Sequence, residues 1–267
     1  MHPPNRHPDR HSATLPAEPA AAQPVSSLPV SVDGWAVFLD IDGTLLDIAA
    51  TPGAVDLPDG LPADLAALSR KVDGALALVT GRSLDFVDAA FPGHAFPIAG
   101  LHGAEWRDAA GRRSSCGEMP GLGAAKRLLE EKAADWPGVL VEDKGAAFAA
   151  HYRLVPQMET TVRGFMENLA RGLGERWHLQ TGKCVVEIRP ADGDKGTAVE
   201  RFLGAPPFSG RRPLAVGDDI TDEAMFATVN RLGGLSVRVG RVMRPSAALA
   251  TVESPAAVRD WIARLVR

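Results

Sequence analysis

The sequence predicts an α/β protein with a doubly wound, mostly parallel sheet and an inserted smaller α+β domain. Strand-like apolar runs alternate with helix-like stretches in both the first and the last third of the chain. Polar residues follow several of these runs directly. The middle of the chain instead shows a helix followed by two strands, twice over. Strict alternation of strand and helix is typical of a parallel sheet covered by helices on both faces.

The early part of the sheet is predicted from three short apolar runs, at residues 35–39, 75–79 and 96–99. Continuous runs of this length, bounded by turn residues, suit buried parallel strands. Leucines at helical spacing predict a helix over residues 59–71, and a second helix is expected over residues 83–91. The two helices would connect the three strands.

The C-terminal part repeats the alternation. It predicts, in order, a helix over 195–203, a strand over 213–216, a helix over 219–227 and a strand over 235–239. In the middle, helices over 121–135 and 157–173 precede strand pairs near 139–153 and 178–189. We therefore predict a core formed by 32–104 and 191–267, with residues 105–190 inserted as a cap.

Residues 1–31 differ in composition from the rest of the chain. They hold seven of the 21 prolines and show no hydrophobic periodicity, which predicts a disordered extension. They contain no apolar stretch typical of a secretory signal.

Composition restricts the class of protein. The 267 residues include 29 basic and 33 acidic side chains, a net charge of −4, which argues against a dedicated nucleic-acid binder. No apolar run approaches the length of a membrane span. Cys116 and Cys184 cannot form a disulfide framework and fit a reduced, cytoplasmic setting. We expect a small-molecule substrate and no obligate protein partner.

The polar residues behind the predicted strands indicate where the chemistry lies. Because ligands of parallel sheets bind at the carboxyl ends of the strands, these residues are expected to converge. They are Asp40, Asp42, Gly43 and Thr44 after the first strand, Thr80, Gly81 and Arg82 after the second, Asp218, Asp219 and Asp222 after the strand at 213–216, and Lys195 at the start of a helix. Each motif alone occurs at ordinary turns, and only the combination in this order indicates a site.

Converging carboxylates need a hard cation, and Mg²⁺ with oxygen ligands fits best. A threonine hydroxyl, a lysine ammonium and backbone N–H groups suit a phosphate. The sequence therefore predicts a phosphoryl-transfer site with a carboxylate nucleophile and Mg²⁺ as cofactor.

The DxDGT run at 40–44, Thr80, Lys195 and the GDDxxD run at 217–222 together resemble the four motifs of the haloacid dehalogenase superfamily of phosphohydrolases. The resemblance implies that Asp40 attacks phosphorus and that Asp42 exchanges protons with the leaving group and water. It implies further that the Asp40 side chain, the Asp42 backbone carbonyl and Asp218 hold Mg²⁺, with Asp222 orienting them. Thr80 and Lys195 would bind the phosphoryl oxygens. We also expect direct contacts with the substrate from Asp42, Gly43, Thr44, Gly81 and Arg82.

The predicted insert carries two strands with one apolar and one polar face. Alternation places Lys183, Glu187 and Arg189 on one face and apolar residues on the other. The strand at 147–153 places His151 and Arg153 together in the same way. Two interpretations stay open at this stage: a solvated face with cross-strand ion pairs, or a pocket for a hydroxyl-rich leaving group.

Further segments resemble the trehalose-6-phosphate phosphatases. They are GLHGAE at 100–105, EDK at 142–144 followed by HYR at 151–153, GK at 182–183 followed by EIRP at 187–190, and DKG at 194–196. The resemblance implies that Glu142, Lys144, Arg153, Lys183 and Glu187 contact the disaccharide, with His102, His151 and Arg189 as further candidates.

Three alternatives remain. A phosphatase for sucrose phosphate, a mannosyl phosphoglycerate or a hexose phosphate would share the core and differ in the cap. A sugar phosphomutase would also need Asp40 and Asp42. A sugar-phosphate sensor would bind without turnover, but it would not need a nucleophile and a proton donor together.

Overall fold

The computed structural model describes residues 28–48, 56–115, 121–191, 194–241 and 245–267. These residues form two sheets, which we call the large sheet and the small sheet. The strands, in chain order, are β1 (Trp35–Leu39), β2 (Leu76–Val79), β3 (Ile98–Gly100), β4 (Glu105–Arg107), β5 (Arg113–Ser115), β6 (Leu140–Asp143), β7 (Phe148–His151), β8 (Trp177–Gly182), β9 (Val185–Pro190), β10 (Arg212–Gly217), β11 (Leu235–Val239) and β12 (Ala250–Val252).

Seven α-helices accompany these strands in the described ranges. They are α1 (Leu61–Lys71), α2 (Leu84–Ala90), α3 (Leu122–Ala133), α4 (Glu159–Leu173), α5 (Lys195–Leu203), α6 (Glu223–Arg231) and α7 (Pro255–Val266). A short 3₁₀ turn, Ile220–Asp222, precedes α6, so the helix predicted over 219–227 begins later than expected.

The large sheet runs in the order β12-β11-β10-β1-β2-β3-β4-β5. Strands β12 to β3 pair in parallel, and β4 and β5 join antiparallel at one edge. From β1 the chain continues to β2 on one side, and after the small sheet it returns to β10 on the other side of β1. The carboxyl end of β1 is therefore the point where the strand order reverses. A crevice forms at such a point because the helices diverge to opposite faces. The predicted fold class is confirmed.

The small sheet, β6-β7-β9-β8, is antiparallel throughout. Phe148, Ala150, Val186 and Ile188 are fully buried beneath α3 and α4 in a second apolar core. These positions are the apolar face that alternation predicts. Lys183, however, lies in the turn between β8 and β9 and not in a strand.

The boundaries of the predicted insert, at residues 105 and 190, remain a prediction. Strands β4 and β5 lie within the predicted insert but pair with the large sheet. Residues 1–27 of the predicted extension lie outside the described residues. Leu28 and Pro29 contact the core, which a disordered extension does not anticipate: Leu28 packs against it, and Trp261 Nε1–H donates to the Pro29 carbonyl oxygen at 2.7 Å.

The start of α5 is fixed by a local cap. The Asp194 carboxylate accepts from the Thr197 N–H at 2.8 Å, and the Thr197 hydroxyl makes the reciprocal contact. Such a capping box satisfies N–H groups that the first turn would otherwise leave unpaired. Lys195 is therefore held as the first residue of α5. Within the described ranges, none of the helices has the length and apolarity needed to cross a membrane.

Gly196 permits close packing of α5 on α6. A Cβ placed there would lie 2.6 Å from the Ala224 carbonyl oxygen and 2.7 Å from Thr228 Oγ1.

We expect Gly196→Ala to lower the Tm, because overpacking of this kind costs about 1–3 kcal/mol. Gly164→Ala is the matched control: Gly164 lies in α4 with nothing within 4 Å of an added Cβ. Relief of helix-interior glycine should stabilise that variant by ~0.5–1 kcal/mol. Equal Tm values for the two variants would contradict this account of α5–α6 packing.

Candidate functional site

A buried lysine joins two carboxylates at the carboxyl end of β1. Lys195 Nζ donates to Asp40 Oδ1 at 2.6 Å and to Asp222 Oδ1 at 2.7 Å. All three side chains are almost completely buried. Burial alone would lower the pKa of Lys195, but the charges of Asp222 and Asp40 raise it above its ordinary value. The ammonium is therefore a permanent positive charge inside the site.

Asp222 also organises the loop after β10. Its Oδ2 accepts from the backbone N–H groups of Asp218 and Asp219, both at 2.9 Å. A Cβ on Gly217 would lie 2.3 Å from Asp222 Cγ, so the carboxyl group rests directly on the backbone. Both oxygens of Asp222 thus accept hydrogen bonds, which fits the orienting role that the sequence predicts for it.

The carboxylates of Asp40, Asp218 and Asp222 fit a divalent cation. One oxygen from each lies within 4.8 Å of the others, and all three residues are buried. Gly43, with φ +80°, is required here, because a Cβ would lie 2.3 Å from Asp218 Oδ2. Hard oxygen donors in this number suit Mg²⁺. Both oxygens of Asp222 already accept hydrogen bonds, from Lys195 and from the loop after β10. Asp40 and Asp218 are therefore the better direct ligands for a cation.

Charge crowding at the same point changes the pKa of two carboxyl groups. Burial, then the charge of Asp222, raises the pKa of Asp218 from 3.8 to about 6. Burial also raises the pKa of Asp40 well above its ordinary value, against the opposing charge of Lys195. A bound divalent cation would favour the ionised form of both.

Arg82 holds the second aspartate of the first motif. Its Nε donates to Asp42 Oδ2 at 2.7 Å and a terminal nitrogen donates to Oδ1 at 2.6 Å. The Arg82 backbone N–H donates to Thr80 Oγ1 at 3.1 Å, and the Thr44 hydroxyl lies 3.4 Å from Asp40 Oδ2. The turns after β1 and β2 are thus connected side by side.

The small sheet supplies the opposite wall. Lys144 Nζ donates to Glu187 Oε2 at 2.6 Å, while Glu187 Oε1 is buried and has no hydrogen-bond partner among the described residues. His102 Nε2 lies 3.8 Å from that oxygen. Burial and the charge of Lys195 lower the pKa of His102 well below its ordinary value, so the imidazole is neutral.

Other side chains of the small sheet surround this pair. His151 Nε2 and Glu142 Oε2 are 2.8 Å apart, and an Arg153 nitrogen donates to the Lys183 carbonyl oxygen at 3.0 Å. Lys183 Nζ reaches across to Asp218 Oδ2 at 3.4 Å. The small sheet therefore contacts the predicted metal ligands of the large sheet directly.

Most of the predicted site residues line one cavity of about 200 Å³. They are Asp40, Asp42, Gly81, Arg82, His102, Glu142, Lys144, His151, Arg153, Lys183, Glu187, Lys195, Asp218 and Asp219. Thr44, Thr80 and Asp222 are fully buried and, like Arg189, do not line it. An adjoining cleft of about 830 Å³ is lined in part by Gly43 and shares Lys183, Asp218 and Asp219 with the cavity.

Gln180 also lines the cavity and was missed from the sequence. It is the direct partner of Glu187 in the β8–β9 pairing. Counting alternate residues back from the turn at 182–183 places Gln180 on the polar face, so strand alternation was a usable signal.

Comparisons with known proteins agree with this geometry. A family model described as trehalose-phosphatase matches residues 38–256. A Sinorhizobium fredii protein named "Probable trehalose-phosphate phosphatase" is 55% identical over 241 residues, 90% of this chain and 91% of that protein. The Escherichia coli trehalose-6-phosphate phosphatase is 42% identical over 220 residues, 82% of each chain.

Solved structures resemble the fold. The crystal structure of a trehalose-6-phosphate phosphatase related protein superposes with a TM-score of 0.73 at 27% identity, covering 86% of this chain and 96% of that one. The C-terminal domain of Candida albicans trehalose-6-phosphate phosphatase gives a TM-score of 0.78 at 22% identity, covering 92% and 99%. At that identity, the likeness shows the fold alone.

The raised pKa of Asp218 has a consequence for stability. At pH 7.5 this carboxyl group must ionise inside the fold, which lowers the free energy of unfolding relative to a neutral side chain. We expect Asp218→Asn to raise the Tm in the presence of a chelator, by about 2–4 °C for each kcal/mol of repulsion removed. We also expect MgCl₂ to raise the Tm of the wild type but not that of this variant. Asp135→Asn, at an exposed carboxylate in the segment between α3 and β6, is the control. A lower Tm for Asp218→Asn without metal would contradict the charge-crowding argument.

Proposed function

The chain belongs to the trehalose-phosphatase family, and we propose that it hydrolyses trehalose 6-phosphate to trehalose and phosphate. One observation carries the proposal. A cavity has the Asp40–Lys195–Asp222 network on one side and the Lys144–Glu187 pair on the other. The first wall suits phosphoryl chemistry, and the second suits a sugar.

Asp40 is the proposed nucleophile. One of its oxygens forms a bond to phosphorus as the bond from phosphorus to the sugar O6 breaks, which gives an aspartyl phosphate and free trehalose. Lys195 holds the other oxygen at 2.6 Å and restricts rotation of the carboxylate. Its charge also stabilises the phosphoryl oxygens as negative charge shifts onto them. Thr80 is fully buried and accepts from the Arg82 N–H, and in this proposal its hydroxyl donates to the same phosphoryl oxygens.

Asp42 is the proposed proton carrier. It gives a proton to O6 as the ester bond breaks, and then takes one from the water that attacks the aspartyl phosphate. The second step releases phosphate, restores Asp40 and returns the proton to Asp42, so the cycle balances. Asp42 is well placed for both steps because it lines the cavity two residues after Asp40.

Mg²⁺, held by Asp40, Asp218 and the Asp42 backbone carbonyl, would neutralise phosphate charge when bound. The support for this assignment is the buried oxygen cluster and the space that Gly43 leaves beside Asp218. Asp222 keeps Asp218 in place through the backbone of the loop.

Recognition of the sugar is assigned to the small sheet. Glu187 Oε1 is buried and has no donor among the residues that the structure describes, and leaving it so costs about 1–3 kcal/mol. A sugar hydroxyl would supply that donor, and Lys144, Glu142 and Arg153 line the same space. The adjoining cleft gives the disaccharide a path into the cavity. We also propose that the protein is located in the cytoplasm and acts on a small-molecule sugar phosphate.

The first test measures phosphate release from trehalose 6-phosphate, beside sucrose 6-phosphate, mannosyl phosphoglycerate and glucose 6-phosphate, for the wild type and Asp40→Asn. We expect trehalose 6-phosphate to give the highest kcat/KM, and Asp40→Asn to lose several orders of magnitude in kcat while it remains folded. A faster reaction with another sugar phosphate would overturn the substrate assignment. Near-normal turnover by Asp40→Asn would overturn the nucleophile.

The second test separates the sugar wall from the phosphate wall. Glu187→Ala removes a charge-assisted hydrogen bond, worth about 1.5–3 kcal/mol, so kcat/KM for trehalose 6-phosphate should fall ~10- to 100-fold. Hydrolysis of a small aryl phosphate should change little, and inhibition by free trehalose should weaken. Glu167→Ala, which removes an exposed carboxylate of α4, is the control. Equal losses on both substrates would show that Glu187 supports the fold instead of the sugar.

A further inference from the structure

The contact between Arg82 and Asp42 engages both oxygens of the proposed proton carrier. The guanidinium makes two parallel hydrogen bonds, at 2.7 and 2.6 Å, from the turn after β2 to the turn after β1. Planar pairing of this kind fixes direction as well as distance, which a lysine cannot do. The Arg82 side chain is 12% exposed, and its guanidinium lies 4.2 Å from the Phe86 ring centre. The guanidinium of Arg82 is thus held by the Phe86 ring as well as by the Asp42 carboxylate.

The turn that carries Arg82 is itself fixed. Glu105 of β4 accepts from the Leu84 N–H at 2.7 Å, and the Ser83 hydroxyl caps α2 by accepting from the Phe86 N–H at 3.2 Å. The Arg82 carbonyl oxygen accepts from the Leu101 N–H at 3.0 Å. These contacts come from β4, from the start of α2 and from the turn after β3. Arg82 therefore approaches Asp42 from a rigid base and not as a mobile surface side chain.

This arrangement has a chemical consequence. A proton passed to the sugar O6 must first be on Asp42, and in the structure both oxygens of this carboxylate accept hydrogen bonds from Arg82. When one of these bonds opens, the freed oxygen can take a proton from water and turn toward O6, while the other bond persists. The remaining bond would keep the carboxyl group aimed into the cavity during the transfer.

We infer that Arg82 is a positioning residue for Asp42: it aims the carboxyl group through both oxygens in the free enzyme, and releases one of them to the leaving oxygen of the substrate. The inference rests on the proposed function, in which Asp42 exchanges protons with that oxygen. It differs from the direct contact with substrate that the sequence predicts for Arg82, because here Arg82 acts through Asp42.

The leaving group distinguishes the two roles. A sugar alkoxide needs a proton when it departs, whereas an aryl oxide departs readily without one. Loss of Asp42 positioning should therefore slow hydrolysis of a sugar ester and spare an aryl ester. Loss of a direct substrate contact should instead weaken binding, and loss of general order in the site should slow both esters together.

The experiment compares the wild type, Arg82→Lys and Arg112→Lys on trehalose 6-phosphate and on p-nitrophenyl phosphate. Arg82→Lys keeps the charge but cannot form the two parallel bonds. Arg112 is the matched control, since it also pairs with an aspartate, Asp108, at 2.7 Å, but is 83% exposed. We expect Arg82→Lys to lower kcat for the sugar ester ~10- to 100-fold, part of the ~10²–10⁴ that a general acid contributes. KM and the inhibition constant of free trehalose should stay within about twofold, and kcat for the aryl ester should fall less than about threefold.

A second measurement uses the Asp42→Asn background. There, adding Arg82→Lys should cost little further kcat on the sugar ester, because both changes disable one step. An unchanged kcat for Arg82→Lys, a rise in KM and in the trehalose inhibition constant at constant kcat, an equal loss on both esters, or a full additional loss in the Asp42→Asn background would each overturn the inference. If Arg82→Lys does not fold, Arg82→Gln, which keeps an amide donor, replaces it in every arm.

Failure of the proposed function would look different. In that case the wild type would not favour trehalose 6-phosphate, while some other phosphate ester on the panel would be hydrolysed. The leaving-group comparison would then use that ester in place of trehalose 6-phosphate, with the same expected outcomes for Arg82→Lys.

Discussion

The site depends on one buried ammonium group. Lys195 is 2% exposed and lies between Asp40 and Asp222, at 2.6 and 2.7 Å. Buried carboxylates are tolerated only when paired and hydrogen-bonded, and this lysine compensates two of them at once. Its own place is fixed by the Asp194 cap of α5 and by the close approach of α5 to α6 at Gly196. Helix start, helix packing and charge compensation therefore support the same atom, and a displacement of α5 would reach Asp40 directly.

The remaining charges divide between two walls that the chain separates in sequence. The large sheet provides the carboxylates, Lys195 and the Arg82–Asp42 pair, while the small sheet provides the Lys144–Glu187 and His151–Glu142 pairs. The Lys183–Asp218 contact crosses between them. Under the proposed function, such a division would let the wall assigned to the leaving group vary without moving the wall assigned to the phosphoryl group, because the two walls have separate apolar cores.

Several positions show the conflict between function and stability. Asp40 and Asp218 are buried beside like charges, and Glu187 Oε1 is buried with no hydrogen-bond partner in the part of the chain that the structure describes. Each lowers the stability of the free protein, and each would be relieved by a bound group: a divalent cation for the aspartates, a hydroxyl for the glutamate. A folded core with two large apolar clusters can tolerate these costs, and they are concentrated where a ligand would remove them.

The sequence by itself determined the alternation of strands and helices, the confirmed α/β class and the residues that follow each strand, because apolar periodicity and turn chemistry are local properties. It also identified the apolar faces of the small sheet. Tertiary structure decided what no local pattern contains: that Arg82 holds Asp42 from 40 residues away, that Lys195 meets Asp40 across 155 residues, and that β4 and β5 join the large sheet. Gln180 entered the cavity by cross-strand pairing with Glu187. Partners distant in sequence are chosen by how the layers pack, and packing is a property of the whole fold.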